Sequence, residues 1–256
     1  MSGFASRNGF PDRPPLLPPL ALADMIAGLS GAMAMMIALY HRDLKGGGGQ
    51  VIDLSLLEPI FSVLGPEAAS YRQSGDVKPR VGNGSNTSSP RNVYITSDER
   101  YIAISASMQA MAERLLRAIG AGDMLEDPRY ATNAARVAHR EEVDAVVGGF
   151  IAQRTLTKNM AFFEKEHVTA APIYDISQIV ADPHFQEREI VVDVEDKDLG
   201  DIPMHNVVPR LSGTPGTFRN PAPNVGEHNA ALLGDIGLDA ETIAALTERG
   251  ILWQRP

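Results

Sequence analysis

The stretch at residues 82–106, GNGSNTSSPRNVYITSDERYIAISA, decides how the chain is read. Its second half is a hairpin signal. VYIT and YIAISA are short runs of β-branched and aromatic residues, joined through Ser97, Asp98, Glu99 and Arg100. Its first half is a polar loop that carries Gly82, Asn83, Gly84 and Ser85. Glycine reaches positive φ without steric cost, and asparagine tolerates it. Such a loop can lie flat against a ligand and turn backbone N–H groups toward an anion. The same residue types also build an ordinary mobile connector. Residue type leaves both readings open.

Working outward toward the C-terminus, the spacing predicts an amphipathic helix at 108–119, helices at 140–151 and 157–167, a short strand at 171–174 and a helix at 176–181. DPRY at 127–130 and DPHF at 182–185 each set Asp before Pro, the pattern of an N-cap followed by a first-turn proline. Residues 189–209 alternate well enough for strands, and helices are expected near 227–236 and 240–249. Toward the N-terminus, residues 58–71 read as helix, with Pro59 and Pro66 limiting where it starts and how straight it runs. VIDLSLL at 51–57 reads as a strand with Ile52, Leu54 and Leu56 on one face. A long helix over residues 22–44 carries small residues at helical spacing, and its composition predicts a buried core helix rather than a membrane span. Asp24 in its first turn suits the positive end of the dipole, and Arg42 and Lys45 suit the negative end. The first twenty residues hold five prolines and read as a connector.

Composition narrows the function classes. The chain has 256 residues, 44% of them apolar, and a formal charge of −9. A net acidic chain repels nucleic-acid phosphate and anionic lipid, so neither partner is expected, and an anionic ligand needs a local basic or N–H site. No cysteine is present, which removes disulfides and thiolate chemistry and fits a cytoplasmic setting. The six histidines form no H-x-H or H-E-x-x-H pair, so no metal is expected. There is no G-x-S-x-G and no phosphate-loop motif. The run 46–49, GGGG, follows a helix and opens a strand, the reverse of a dinucleotide loop. It reads as a helix terminator.

Several stretches, taken in order, resemble one family. They are LPPLALADMIAGLSGAMAMMIALYHRD, GGGGQVIDLSLLE, the loop and hairpin quoted above, AAPIYDISQIVADPHFQERE, RLSGTPG and the terminal RGIL. Together they look like the class III CoA-transferases, the family of the formyl-CoA and carnitine CoA-transferases. The resemblance implies an α/β fold: an incomplete Rossmann-like large domain, a small α/β domain and an interlocked homodimer. It implies that residues 1–79 belong to the large CoA-binding domain, 80–170 to the small domain with its glycine-containing loop, and 171–256 to a linker and the return to the large domain. It implies transfer of coenzyme A between carboxylic acids through a covalent aspartyl intermediate, with an acyl-CoA thioester as substrate and no permanently bound cofactor. The catalytic aspartate of the family falls shortly before the part that MSGFASRNGF resembles, so the nucleophile is expected upstream of Met1, and this chain alone is expected to be inactive or to serve only as a dimerisation partner. The family's loop over the site matches Gly82, Asn83, Gly84 and Ser85, in a version less glycine-rich than the richest, which argues against a fully mobile flap. The related 2-methylacyl-CoA racemases place a glutamate just after the second hairpin strand. Here Met108 stands there, and methionine cannot move a proton, so the racemase reading is the weaker one.

Overall fold

The computed structural model describes residues 1–253. Two units separate along the chain, Met1–Ile173 and Tyr174–Pro256. The first opens with one helical turn, α1 (Phe4–Arg7), and a proline-rich run, then enters α2 (Leu22–Leu44). The helix ends as the sequence predicts, with Lys45 at the C-cap and Gly46 at a φ of +68°. Asp24 lies in its first turn but makes no capping bond, because Ala21 holds the N-cap position. The expectation of a buried core helix is not met. Only Ala27 is buried, and Met25, Leu29, Met33, Met36, Ile37 and Tyr40 are each more than half exposed. The neighbouring segment reaches only a narrow strip of the helix, where a Cβ added at Gly31 would stand 3.1 Å from Leu54 Cδ2. Among the described residues α2 is also the one helix long and apolar enough to cross a membrane.

The strand expected at 51–57 does not form. A strand needs a neighbour to take up its N–H and C=O groups, and no described segment pairs with this one. The helix expected at 58–71 splits into α3 (Leu57–Ser62) and α4 (Glu67–Ser74). Gly65, at a φ of +73°, and Pro66 make the break.

The hairpin forms where the alternation puts it. Strand β1 (Arg91–Ile95) pairs antiparallel with β2 (Tyr101–Ser105), with Tyr94 opposite Ile102. Then follow α5 (Gln109–Ala118), a 3-10 turn at Gly122–Glu126, α6 (Asn133–Ala138), α7 (Arg140–Ile151) and α8 (Leu156–Lys165). Strand β3 (Ala170–Pro172) returns to add a third antiparallel strand beside β2. DPRY does not start a helix. Asp127 accepts the N–H of Arg129 at 2.9 Å in a local turn, and Thr132 caps α6 instead.

The core of this unit lies between that sheet and the helices. Ile102 and Ile104, two apart on β2, share a face and meet Leu115 of α5, Val147 and Ile151 of α7, and Phe163 of α8. Fully burying such a side chain contributes about 1.5–3 kcal/mol. The hairpin turn is tied to α8 by Asp98, whose carboxylate accepts the Thr96 hydroxyl at 2.6 Å and the Leu156 N–H at 2.9 Å. The Thr96 bond, helped by that N–H, holds the Asp98 carboxyl below the usual range. A carboxylate whose pKa is depressed on folding adds stability above its unfolded value and loses it as pH falls through the folded one. Asp98→Asn is therefore expected to be less stable than the parent near neutral pH, with the gap closing in acid. Urea midpoints measured at both pH values check this, and a gap that widens in acid contradicts it.

In the second unit Asp175 and Gln178 form a capping box on α9 (Ile176–Ala181). Asp182 caps α10 (Pro183–Glu187) by accepting the His184 N–H at 2.8 Å, as DPHF predicts. Strands β4 (Val191–Asp196) and β5 (Gly200–His205) form a two-stranded antiparallel sheet, followed by α11 (Asn229–Asp235) and α12 (Ala240–Glu248). None of the described residues of this unit is buried. The architecture is mixed α/β, and among the described residues both sheets are antiparallel.

Candidate functional site

The loop ahead of β1 is fastened at both ends. At its start, the Gly82 N–H donates to the Gly9 carbonyl at 3.0 Å. Gly82 has a φ of +60°, and a Cβ there would stand 2.5 Å from Phe10 Cε1. Two separate features therefore require glycine at this one position. Arg80 strengthens the attachment, with Nε on the Phe10 carbonyl at 3.1 Å and Nη2 on the Arg13 carbonyl at 2.9 Å. Gly84 is different. Its φ is not positive, and its N–H closes a turn onto the Val81 carbonyl at 3.0 Å. Asn83 does not take the left-handed conformation either. The sequence reading left the N–H groups of both glycines available to an anion, whereas the structure engages both within the protein.

Ser85 is buried, and its hydroxyl meets the Thr87 hydroxyl at 3.0 Å and the Thr87 N–H at 3.1 Å. The far end of the loop is held by α6 and α7. Asn133 donates to the Thr87 carbonyl at 2.8 Å and accepts from the Ser89 N–H at 3.3 Å, and Arg140 donates to the Ser85 carbonyl at 3.2 Å. Beneath them Arg136 is fully buried and donates to the carbonyls of Ser89 and Tyr130 and to the Gln109 side chain. Burial pushes its guanidinium below its usual pKa, though arginine keeps its charge. Sequence reasoning missed these anchors. The available signal was the spacing of Asn133 and Arg136, three apart on one face of α6, with Arg140 at the start of α7.

Beside the loop is a cavity of about 320 Å³, lined by Gly82, Gly84 and Ser85 from the loop, by Arg7 and Phe4 from α1, and by Arg91 from β1, among others. Asn83 is exposed and does not line it. The glycine run 46–49 makes no such recess. Its Gly47 N–H bonds back to the His41 carbonyl at 3.1 Å, as a helix terminator does. Met108 stands, exposed, at the N-cap of α5. Among the described residues no group of three or more His, Asp or Glu comes together as metal ligands.

The pattern of CoA-transferase family III matches residues 1–229. The succinyl-CoA–D-citramalate CoA-transferase of Chloroflexus aurantiacus is 33% identical over 98% of this chain and 63% of its own length. The succinate–glutarate CoA-transferase of Agrobacterium fabrum is 34% identical over 92% of this chain and 58% of its own. A crystal structure of a CaiB/BaiF family protein from Brucella suis superposes with a TM-score of 0.73 at 30% identity, covering 92% of this chain and 60% of the other. The chain thus spans about three fifths of the length of the curated relatives it matches.

Proposed function

The chain belongs to CoA-transferase family III, and from that premise we propose that it forms part of an enzyme that moves coenzyme A between small carboxylic acids. The relatives reported above are named for succinyl-CoA and D-citramalate and for succinate and glutarate, all within that class. The observation that carries the reading for this chain is the loop at residues 82–85, fixed at both ends beside a recess.

The chemistry is covalent carboxylate catalysis. An aspartate, proposed to lie in polypeptide ahead of residue 1, attacks the thioester carbonyl of the donor. The C–S bond breaks, CoA leaves as thiolate, and an aspartyl-acyl anhydride remains. The thiolate attacks the aspartyl carbonyl, releasing the donor carboxylate and leaving an aspartyl-CoA thioester. The acceptor carboxylate attacks that thioester and displaces the thiolate, which takes the acceptor acyl group from the new anhydride and restores the aspartate. Every intermediate is open to hydrolysis, so the reacting centre must be kept from water. The part assigned to Gly82, Asn83, Gly84 and Ser85 is to cover it. Coenzyme A is substrate, and no metal or resident cofactor enters. We further propose the domain division 1–79, 80–170 and 171–256, an interlocked homodimer, a cytoplasmic setting, and no activity for the 256-residue chain by itself.

The test uses the complete transferase polypeptide that contains these residues. It is expected to move CoA from succinyl-CoA to a carboxylic acid and, with acyl-CoA present, to give an aspartyl hydroxamate on treatment with hydroxylamine. Transfer without any trapped enzyme adduct contradicts the covalent route. Steady transfer by residues 1–256 alone contradicts the external nucleophile.

A further inference from the structure

The recess beside the loop has a charge opposite to that of the chain. The protein carries a formal −9, yet the only charged side chains that line this recess are Arg7 and Arg91. Arg91 stands at the first position of β1, exposed, with no hydrogen-bond or ion-pair partner for its guanidinium among the described residues. Arg7 has a partner but is not neutralised. Its Nη1 lies 2.5 Å from Glu67 Oε1, and the same oxygen holds Lys78 Nζ at 3.0 Å, so one carboxylate serves two cations. Arg7 Nε is buried without an acceptor. The polar side chains nearby are largely committed. Asn8 donates to the Leu16 carbonyl and Asn86 to the Pro79 carbonyl. Phe4, Val63, Leu64 and Val81 add apolar side chains to a lining that is otherwise mostly polar.

Two guanidinium groups with spare donors, in a mostly polar recess that also offers the side chains of Phe4, Val63, Leu64 and Val81, suit an anion that ends a short hydrocarbon chain. A guanidinium matches a carboxylate in paired, charge-assisted hydrogen bonds, which are about twice as strong as neutral ones. We propose that this recess receives the distal carboxylate of a dicarboxylic acyl group, and that Arg91, with Arg7 beside it, makes the enzyme choose dicarboxylic over monocarboxylic acids. The proposal rests on the transferase reading above and adds to it the class of acid. A phosphate of coenzyme A is the other anion that chemistry of this kind could hold, and it separates from the first by experiment, because every acyl-CoA carries it whatever the acid.

The experiment takes the complete transferase, succinyl-CoA as donor, and glutarate or pentanoate as acceptor. These acids have the same carbon chain and differ by the distal carboxylate alone. The wild-type enzyme is expected to prefer glutarate in kcat/KM. Arg91→Gln is expected to lower the glutarate-to-pentanoate ratio by about ten-fold or more, the scale of one lost charge-assisted bond. Arg91→Lys keeps the charge and is expected to retain part of the ratio, which separates loss of recognition from damage to the fold. Arg7→Gln is expected to lower the ratio as well. A ratio that stays constant in Arg91→Gln overturns the proposal, including the case in which both acceptors slow together, as they would if the arginine held a CoA phosphate. A wild-type preference for pentanoate overturns it too. If the wild-type enzyme transfers CoA to no acid at all, the transferase reading falls and the proposal falls with it. Transfer with an unmoved ratio sinks the proposal alone.

Discussion

Arg136→Met is expected to lower the stability of the first unit by about 3–5 kcal/mol, the sum of three buried oxygens left without a donor at about 1–3 kcal/mol each, less what relaxation recovers. Arg136 has no exposed surface. Its Nε donates to the Ser89 carbonyl at 2.8 Å, Nη1 to the Tyr130 carbonyl at 2.9 Å and Nη2 to Gln109 Oε1 at 3.0 Å. These acceptors are neutral, as is the Ala131 carbonyl that Nη1 also reaches at 3.4 Å, and together they belong to the end of the loop, the turn before α6 and the first residue of α5. Methionine fills much of the volume but donates nothing, so two carbonyls and an amide oxygen lose their partner away from water, at about 1–3 kcal/mol each before relaxation. Arg136→Lys keeps one charge and loses the fork, and is expected to fall between the two. Equilibrium urea unfolding reads both. A loss under about 1 kcal/mol for the methionine variant means that the stranded oxygens find water, and the buried-anchor account fails.

The residues that were legible in the sequence are those whose environment is local. β2 alternates because Ile102 and Ile104 face a core while Tyr101 and Ala103 do not, and that pattern is written in five consecutive positions. The boundaries of α2 were readable because Gly46 ends it chemically. What the helix buries was not readable, since burial depends on what covers it, and within these residues little does. The run 51–57 failed as a strand for the same reason: alternation states a capacity to pair, and pairing needs a second strand. Residues 58–71 split in two because Gly65, at a positive φ, acts together with Pro66, and the proline signals at Pro59 and Pro66 do not by themselves show that break. The loop was picked out by its glycines, but its geometry is fixed by residues about seventy positions away, through the bonds from Arg80 to Phe10 and Arg13. No window on the loop contains that information. Arg136 was overlooked because arginine reads as surface, and only its acceptors make it a core residue.

Gly82→Ala is expected to be the most damaging single methyl group that can be added to the loop, and its cost divides into two parts that can be measured separately. The first is conformational. A φ of +60° brings a Cβ too close to the neighbouring backbone, at about 1–2 kcal/mol for a residue other than glycine. The second is a collision, because the new Cβ would stand 2.5 Å from Phe10 Cε1 and 2.7 Å from Cδ1. The ring is 43% exposed and can swing away, but the backbone of Phe10 is held by Arg80, so the movement pulls on the attachment that fixes the start of the loop. Phe10→Ala in the same chain removes the collision and leaves the conformational part. Gly84→Ala adds the same methyl group at an ordinary φ, 3.1 Å from the Val81 carbonyl oxygen, and is expected to cost less than Gly82→Ala. On the transferase reading, Gly82→Ala also slows CoA transfer by about ten-fold or more, because a displaced loop admits water to intermediates that hydrolyse. Urea midpoints of the two single variants and the Gly82→Ala/Phe10→Ala pair, read against Phe10→Ala alone, give the partition as a double-mutant cycle. If removing the ring restores Gly82→Ala completely, the positive φ has no energetic weight, and the loop is held by the contact with Phe10 and not by the conformation that only glycine adopts easily.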